Sequence, residues 1–147
     1  MKIAIASGYF NPIHIGHINY FADSKKNFDI FVVIVNNDEQ VKLKGSVPFM
    51  PQEERMEIIK SIKHVDQVFL SVDKDRSVCE SLKMVAKKYP GAELFFVNGG
   101  DRHEGNIPET PVLKELNIKT IDGVGGGKVQ SSSWLLKNAS DQKIEKN

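Results

Sequence analysis

The sequence predicts an α/β fold: a doubly wound, five-stranded parallel sheet in the order 3-2-1-4-5. Three observations predict it. Apolar runs without alternation recur at Lys2–Ala6, Ile30–Val35 and Leu94–Val97, the pattern of parallel strands covered on both faces. Segments with helical spacing separate the runs, and the resulting βαβαβαβαβα order winds into one sheet through right-handed crossovers. Strand polarity then orders the sheet. The third and fifth strands, Val65–Val72 and Ile118–Ile121, carry polar positions and belong at the edges, which leaves the first, second and fourth in the centre. The switch point falls between strands one and four, where open α/β sheets bind ligands.

The first turn, residues 7 to 18, organises the chain. Ser7-Gly8 gives a sharp exit from the first strand, and Pro12 delays the helix by removing a donor and holding Asn11 extended. Gly16 lets a ligand approach the backbone. His14 and His17 flank the helix start, where orphan amides and the helix dipole favour an anion. Two imidazoles there add directed donors, an arrangement suited to a phosphate. As metal ligands the pair falls short, because no nearby Cys or third His completes a shell.

Ile15, Ile18, Phe21 and Ala22 predict a helix to about Asn27. After the second strand, 36–46 is a polar excursion carrying Lys42 and Lys44. Pro51 reads as a first-turn proline of a helix running to about Lys63, with Glu53 and Glu54 placed where the dipole favours acids. Its sheet-facing stripe reads Arg55, Ile58, Ile59, Ile62. Ser77-Val-Cys-Glu80 fits a capping box before a helix with Val78, Leu82, Val85 and Tyr89 on one face, which Pro90-Gly91 stops. The fourth strand leads into Asn98-Gly-Gly-Asp-Arg102. Thr110-Pro111 reads as a cap and first-turn proline, and Ser131 to Ser133 cap a last helix near Trp134.

With 147 residues, 40% of them hydrophobic and 27% charged, the chain fits one domain over 1–140 with a polar tail at 141–147. A net charge of +1 gives no global field to recruit nucleic acid or an anionic membrane, so any anion site is local. The single Cys79 makes no internal disulfide, no apolar run approaches a membrane span, and the N-terminus lacks the pattern of a secretory signal; a cytoplasmic protein is expected. On residue type alone, Lys42 and Lys44 read as solvated and Arg55 as ion-paired with a neighbour such as Glu53 or Asp66. The Gly123–Lys128 stretch is not a Walker loop, since Asp122 and Val129 break the motif.

Gly8-Tyr-Phe-Asn-Pro-Ile-His-Ile-Gly-His17 resembles the GxFxxxHxGH signature of the cytidylyltransferase-like nucleotidyltransferases. The resemblance implies transfer of CMP from CTP to a small phosphorylated alcohol or sugar, with release of pyrophosphate and Mg²⁺ bridging the triphosphate. ATP is the alternative donor, and a non-catalytic nucleotide-binding module the alternative of another class. It further implies a homodimer. His14, His17 and Lys44 would be catalytic, with Lys42 in reserve, because Asp38-Glu39 followed by Lys44-Gly45 is similar to the family segment whose lysine contacts the triphosphate. Gly8, Tyr9, Phe10, Asn11 and Gly16 would form the nucleotide loop. Gly99 and Asp101 would border the base and ribose, with Arg102 facing the acceptor. Arg55 matches the arginine of the family's active-site helix and would bind phosphate or acceptor. Val129-Gln-Ser-Ser-Ser133 resembles the closing serine segment, so Ser131, Ser132 and Ser133 would grip phosphate oxygens beside Lys128. Two departures stand out: Gly126 replaces the usual arginine before that segment, and Asn11 stands where many cytidylyl-transferring relatives have Asp.

Overall fold

A computed structural model describes residues 1–99 and 107–124. The strands are β1 (Lys2–Gly8), β2 (Ile30–Val35), β3 (Gln67–Leu70), β4 (Glu93–Gly99) and β5 (Lys119–Val124). The helices are α1 (Ile15–Lys25), α2 (Asp38–Leu43), α3 (Gln52–Lys60), α4 (Cys79–Lys88) and α5 (Thr110–Glu115). The sheet is parallel throughout and ordered β3-β2-β1-β4-β5, as the strand polarities predict. β1 pairs with β2 from Ile3↔Ile30 to Gly8↔Val35, so the two central strands end level at the ligand edge.

Alternation along the central strands divides the core into two layers. Ile3, Ile5, Val32 and Ile34 pack with Leu82 and Val85 of α4 and Leu113 of α5, while Ala4, Ala6, Phe31 and Val33 pack with Phe21 of α1 and Ile59 of α3. Each large side chain buried in these layers contributes about 1.5–3 kcal/mol. Tyr20 also ties α1 to the sheet, its hydroxyl donating to the Val97 carbonyl. Among the described residues, no helix is long and apolar enough to cross a membrane.

Several local expectations shift. The polar excursion contains an unpredicted helix, α2, opened by a reciprocal cap in which Asn37 Oδ1 accepts from Gln40 N–H and Gln40 Oε1 accepts from Asn37 N–H. Pro51 stands just before α3 instead of in its first turn. Ile58 is 39% exposed, so Arg55 and Ile59 are the buried members of that stripe. At α4 the Ser77–Glu80 box does not form. Asp73 receives the Glu80 and Ser81 amides instead, because the chain turns back far enough for its carboxylate to sit under the helix start. Glu109, not Thr110, precedes α5. The final helix near Trp134 and the boundary at residue 140 lie outside the described residues.

Gly8 closes β1 against an aromatic ring. A Cβ there would lie 2.8 Å from Phe10 Cζ, and Phe10 is only 2% exposed, with its ring against Phe21 and His17. The ring has no open space to move into. Gly8→Ala is therefore expected to lower unfolding free energy by about 1–3 kcal/mol; urea denaturation measures it, and unchanged stability would remove the steric argument.

Candidate active site

α1 starts without a Ser, Thr, Asp or Asn cap, and two imidazoles do that work. His14 is the N-cap residue, extended at φ −147 and ψ 179. Its Nδ1 accepts from Gly16 N–H at 3.1 Å, while its own backbone N–H donates to His17 Nδ1 at 3.1 Å. A neutral imidazole has one donor and one acceptor. With Nδ1 accepting in both rings, each neutral ring carries its proton on Nε2, where it can be offered to a ligand. The Gly16 amide is engaged by His14, so this glycine serves the cap as well as any ligand.

The rings stack with centroids 3.8 Å apart at 25°, and Phe10 meets His17 edge-on at 4.9 Å. Burial, and then the neighbouring charge of His14, lowers the His17 pKa to about 3. His17 is thus a neutral donor across the physiological range. Phe10, at φ 50, supplies the turn and the buried ring. Phe10 packs in the core against His17 and Phe21.

Arg55 is buried as well. It is 1% exposed, and its guanidinium is spent on the chain itself. Nε donates to Met50 O at 3.1 Å, Nη1 to Tyr9 O at 2.6 Å and Asn36 O at 2.7 Å, and Nη2 to Asp38 Oδ1 at 2.7 Å. The partner is Asp38, neither Glu53 nor Asp66. Asp66 instead takes Lys25 and the Phe31 amide. Arg55 positions the loop after β1, the end of β2, α2 and the turn before α3, and it does not present itself to phosphate or acceptor.

Asn11 is likewise buried at 4% exposure. Its Nδ2 donates to Val47 O at 3.0 Å, and its Oδ1 accepts from Phe49 N–H at 2.5 Å. It clasps the 47–50 loop. The Asn11–Pro12 bond is cis.

Lys44 sits on the loop side of α2. It ends α2, and its Nζ lies 4.4 Å from the centroid of the Tyr9 ring; Tyr9 neighbours Phe10, which packs on His17. A cation on an aromatic face is steadied without losing its charge. Lys42 turns away to an exposed ion pair with Glu39 at 3.4 Å. Gly99 ends β4 beside the switch point. Asp101, Arg102, Lys128, Ser131, Ser132 and Ser133 lie outside the described residues. Burial pushes the Cys79 thiol pKa up, which disfavours the thiolate.

Beside this loop a cavity of about 390 Å³ opens between Ser7, Gly8 and Tyr9 of the β1 exit, Asn36 at the end of β2, Arg76 and Val78 before α4, and Pro108 and Glu109 before α5. Arg76 drew no attention in the sequence, where Asp-Lys-Asp-Arg-Ser reads as a charged turn. Only the topology brings it to the ligand edge.

The histidine cap at the switch point of a 3-2-1-4-5 sheet matches a known family. A family model described as cytidylyltransferase-like matches residues 5–141. This chain belongs to the cytidylyltransferase-like family. Membership carries the expected enzyme class, nucleotidyltransferase. Among curated relatives of this cytidylyltransferase-like chain, the FAD synthase of Ferroglobus placidus is 39% identical over 75 residues, covering 51% of this chain and 49% of its own. The bifunctional protein HldE of Cronobacter sakazakii is 30% identical over 131 residues, covering 78% and 28%. The chain spans about half the length of the FAD synthases it matches. Among solved structures, a lipopolysaccharide core biosynthesis protein from Thermoplasma volcanium superposes with a TM-score of 0.66 at 26% identity, over 83% of this chain and 95% of that one. A protein described as a nicotinate-nucleotide adenylyltransferase from Vibrio parahaemolyticus, 18% identical, shares the fold with a TM-score of 0.63 over 97% and 88%.

Two expectations test the site's framework. Arg55→Lys leaves several of the four acceptors unmatched and is expected to destabilise by about 3 kcal/mol, far more than Lys42→Ala; equal effects in denaturant titrations would refute the anchoring role. The lowered His17 pKa means that below about pH 6.5 the unfolded state binds the extra proton, so stability falls as pH falls. His17→Asn can still accept at the cap and lacks this titration. The stability advantage of wild type over His17→Asn should therefore shrink by roughly 1–2 kcal/mol between pH 7 and pH 5. A pH-independent difference would contradict a buried neutral His17.

Proposed function

We propose that this chain transfers a nucleoside monophosphate from a nucleoside triphosphate to a small phosphorylated acceptor and releases pyrophosphate. The paired Nε2–H donors of His14 and His17 at the α1 start carry this reading. They favour a group whose negative charge grows on oxygens around phosphorus, and the neutral His17 needs no proton uptake to act. Lys44, a mobile charge steadied on Tyr9, follows the β and γ phosphates. Ser131 to Ser133 and Lys128 complete the grip in this proposal, and Gly99 and Asp101 border the nucleoside.

The reaction is one in-line displacement. An acceptor phosphate oxygen forms a bond to the α-phosphorus as the bond to the bridging oxygen breaks, and pyrophosphate leaves with that electron pair. The acceptor phosphate is already anionic, so no general base is needed, and catalysis is positioning with charge stabilisation. Among the described residues no group of three or more His, Cys, Asp or Glu side chains is placed to hold a metal. Mg²⁺, when bound, would be held by triphosphate oxygens and water.

ATP is the favoured donor. Curated relatives of this chain at 39% and 37% identity are named FAD synthase, and FAD carries an adenylyl group. CTP is the second reading, supported by the family description.

His14→Ala and His17→Ala are each expected to reduce turnover about 10²-fold or more. Near-native turnover in a stably folded variant would remove that residue from the mechanism. The class of reaction is tested by label. With α-labelled ATP or CTP the label appears in the acceptor product, and γ-label there would make the protein a kinase.

A further inference from the structure

The cavity beside the histidine loop has a cation that the nucleotide-binding set does not use. We propose that Arg76 is the specificity-determining residue for the acceptor, binding the phosphate of a sugar or polyol phosphate whose hydroxyls face Glu109 and Asn36. The proposal rests on the nucleotidyl-transfer reading for the chemistry and extends it to the acceptor.

Three observations carry it. Arg76 is exposed, lines the cavity, and among the described residues makes no ion pair or hydrogen bond. Its guanidinium thus keeps the bidentate fork that matches a phosphate. Secondly, the loop presenting it is built, not slack. The buried Gln40 Nε2 donates to Asp75 O at 2.7 Å and Ser77 O at 2.8 Å, the carbonyls on either side of Arg76. Asp75 is itself held by the Ser77 hydroxyl at 2.6 Å and amide at 2.9 Å. Thirdly, the walls suit hydroxyls better than a flat aromatic. Glu109 is fixed by accepting the Val78 amide at 2.9 Å, and Asn36 by its bond to Gln40. Tyr9 is the one aromatic lining residue among those described, and Lys44 occupies its ring face. A carboxylate repels phosphate and accepts from hydroxyls, so the Glu109 side takes the polyol and the Arg76 side the phosphate.

The geometry also joins the two halves of the reaction. Ser7, Gly8 and Tyr9 wall the cavity, and the same segment continues through Phe10 to the histidines. An acceptor seated there lies against the segment that carries the α-phosphate donors.

Calorimetric binding of ribose 5-phosphate, glycerol 3-phosphate and FMN to the full chain, with ribose and glycerol as controls, tests the site without turnover. Wild type is expected to bind at least one of the two polyol phosphates and to prefer it to its unphosphorylated control. Arg76→Gln should weaken that binding roughly tenfold or more, Arg76→Lys should retain part of it, and affinity for ATP should stay within about twofold. Arg76 has no partner to lose among the described residues, so both variants are expected to fold. Unchanged acceptor binding in Arg76→Gln, a parallel loss of ATP affinity, binding of FMN alone, or binding of none of the three overturns the proposal. Pyrophosphate release under the same conditions separates the two claims. An acceptor bound through Arg76 with no pyrophosphate from ATP or CTP would leave the site standing and defeat nucleotidyl transfer.

Discussion

The candidate site depends on the two imidazoles that close the first turn of α1. A helix start exposes amides that need partners, and here each of two amides is met by the Nδ1 of a histidine. Meeting them places both Nδ1 atoms as acceptors, which leaves Nε2 as the donor position of a neutral ring. A Ser or Asp cap would satisfy the same amides while presenting an acceptor or a negative charge to the ligand. The histidine cap thus couples a structural requirement of the helix to donors suited to phosphate. Burial of His17 over Phe10 keeps its ring neutral, and the stacked neighbour disfavours a second positive charge.

The surrounding scaffold holds this turn by polar bonds from a distance. Arg55 reaches the backbone on both sides of the sheet edge, at Tyr9 and Asn36, and pairs with Asp38. Asn11 holds the 47–50 loop against the same turn. Asp38 binds Arg55 and also exchanges bonds with Gln52, as Asp38 N–H donates to the Gln52 amide and Gln52 N–H to the Asp38 carboxylate. Buried charges with four well-placed partners are costly to break, which makes this network a rigid frame for Lys44 and Tyr9. Arg55 and Asn11, both in the sequence motifs, are here bonded to the chain itself.

What the sequence made legible follows from the range of the forces involved. β2 was read as Ile30–Val35 and is found there, because a run of six apolar residues leaves few alternatives. Sheet order followed from strand polarity, since edge strands meet water on one side. The paired histidines were legible because a cap is a local device. α2 was missed because its sequence, Asp-Glu-Gln-Val-Lys-Leu, has little apolar periodicity; it is stabilised by the Asn37–Gln40 cap and by burial of Gln40 against the loop before α4. The burial of Arg55 could be read from its stripe, whereas its partners come from segments remote in sequence. Arg76 had no local signal at all. Its meaning lies in a cavity whose walls come from four separate stretches of chain.

The central claim is that the reciprocal cap turns the Nδ1 of both imidazoles to backbone amides at the sheet's switch point, with His17 neutral and protonated on Nε2. Long-range ¹H–¹⁵N correlation spectra of the histidine rings, recorded from pH 8 down to pH 4.5 with His14→Gln and His17→Asn for assignment, test it most directly. The account predicts Nε2–H tautomers for both residues at neutral pH and a His17 ring that stays neutral across the whole range. A His17 ring with its proton on Nδ1, or one that titrates near pH 6.5, would contradict it.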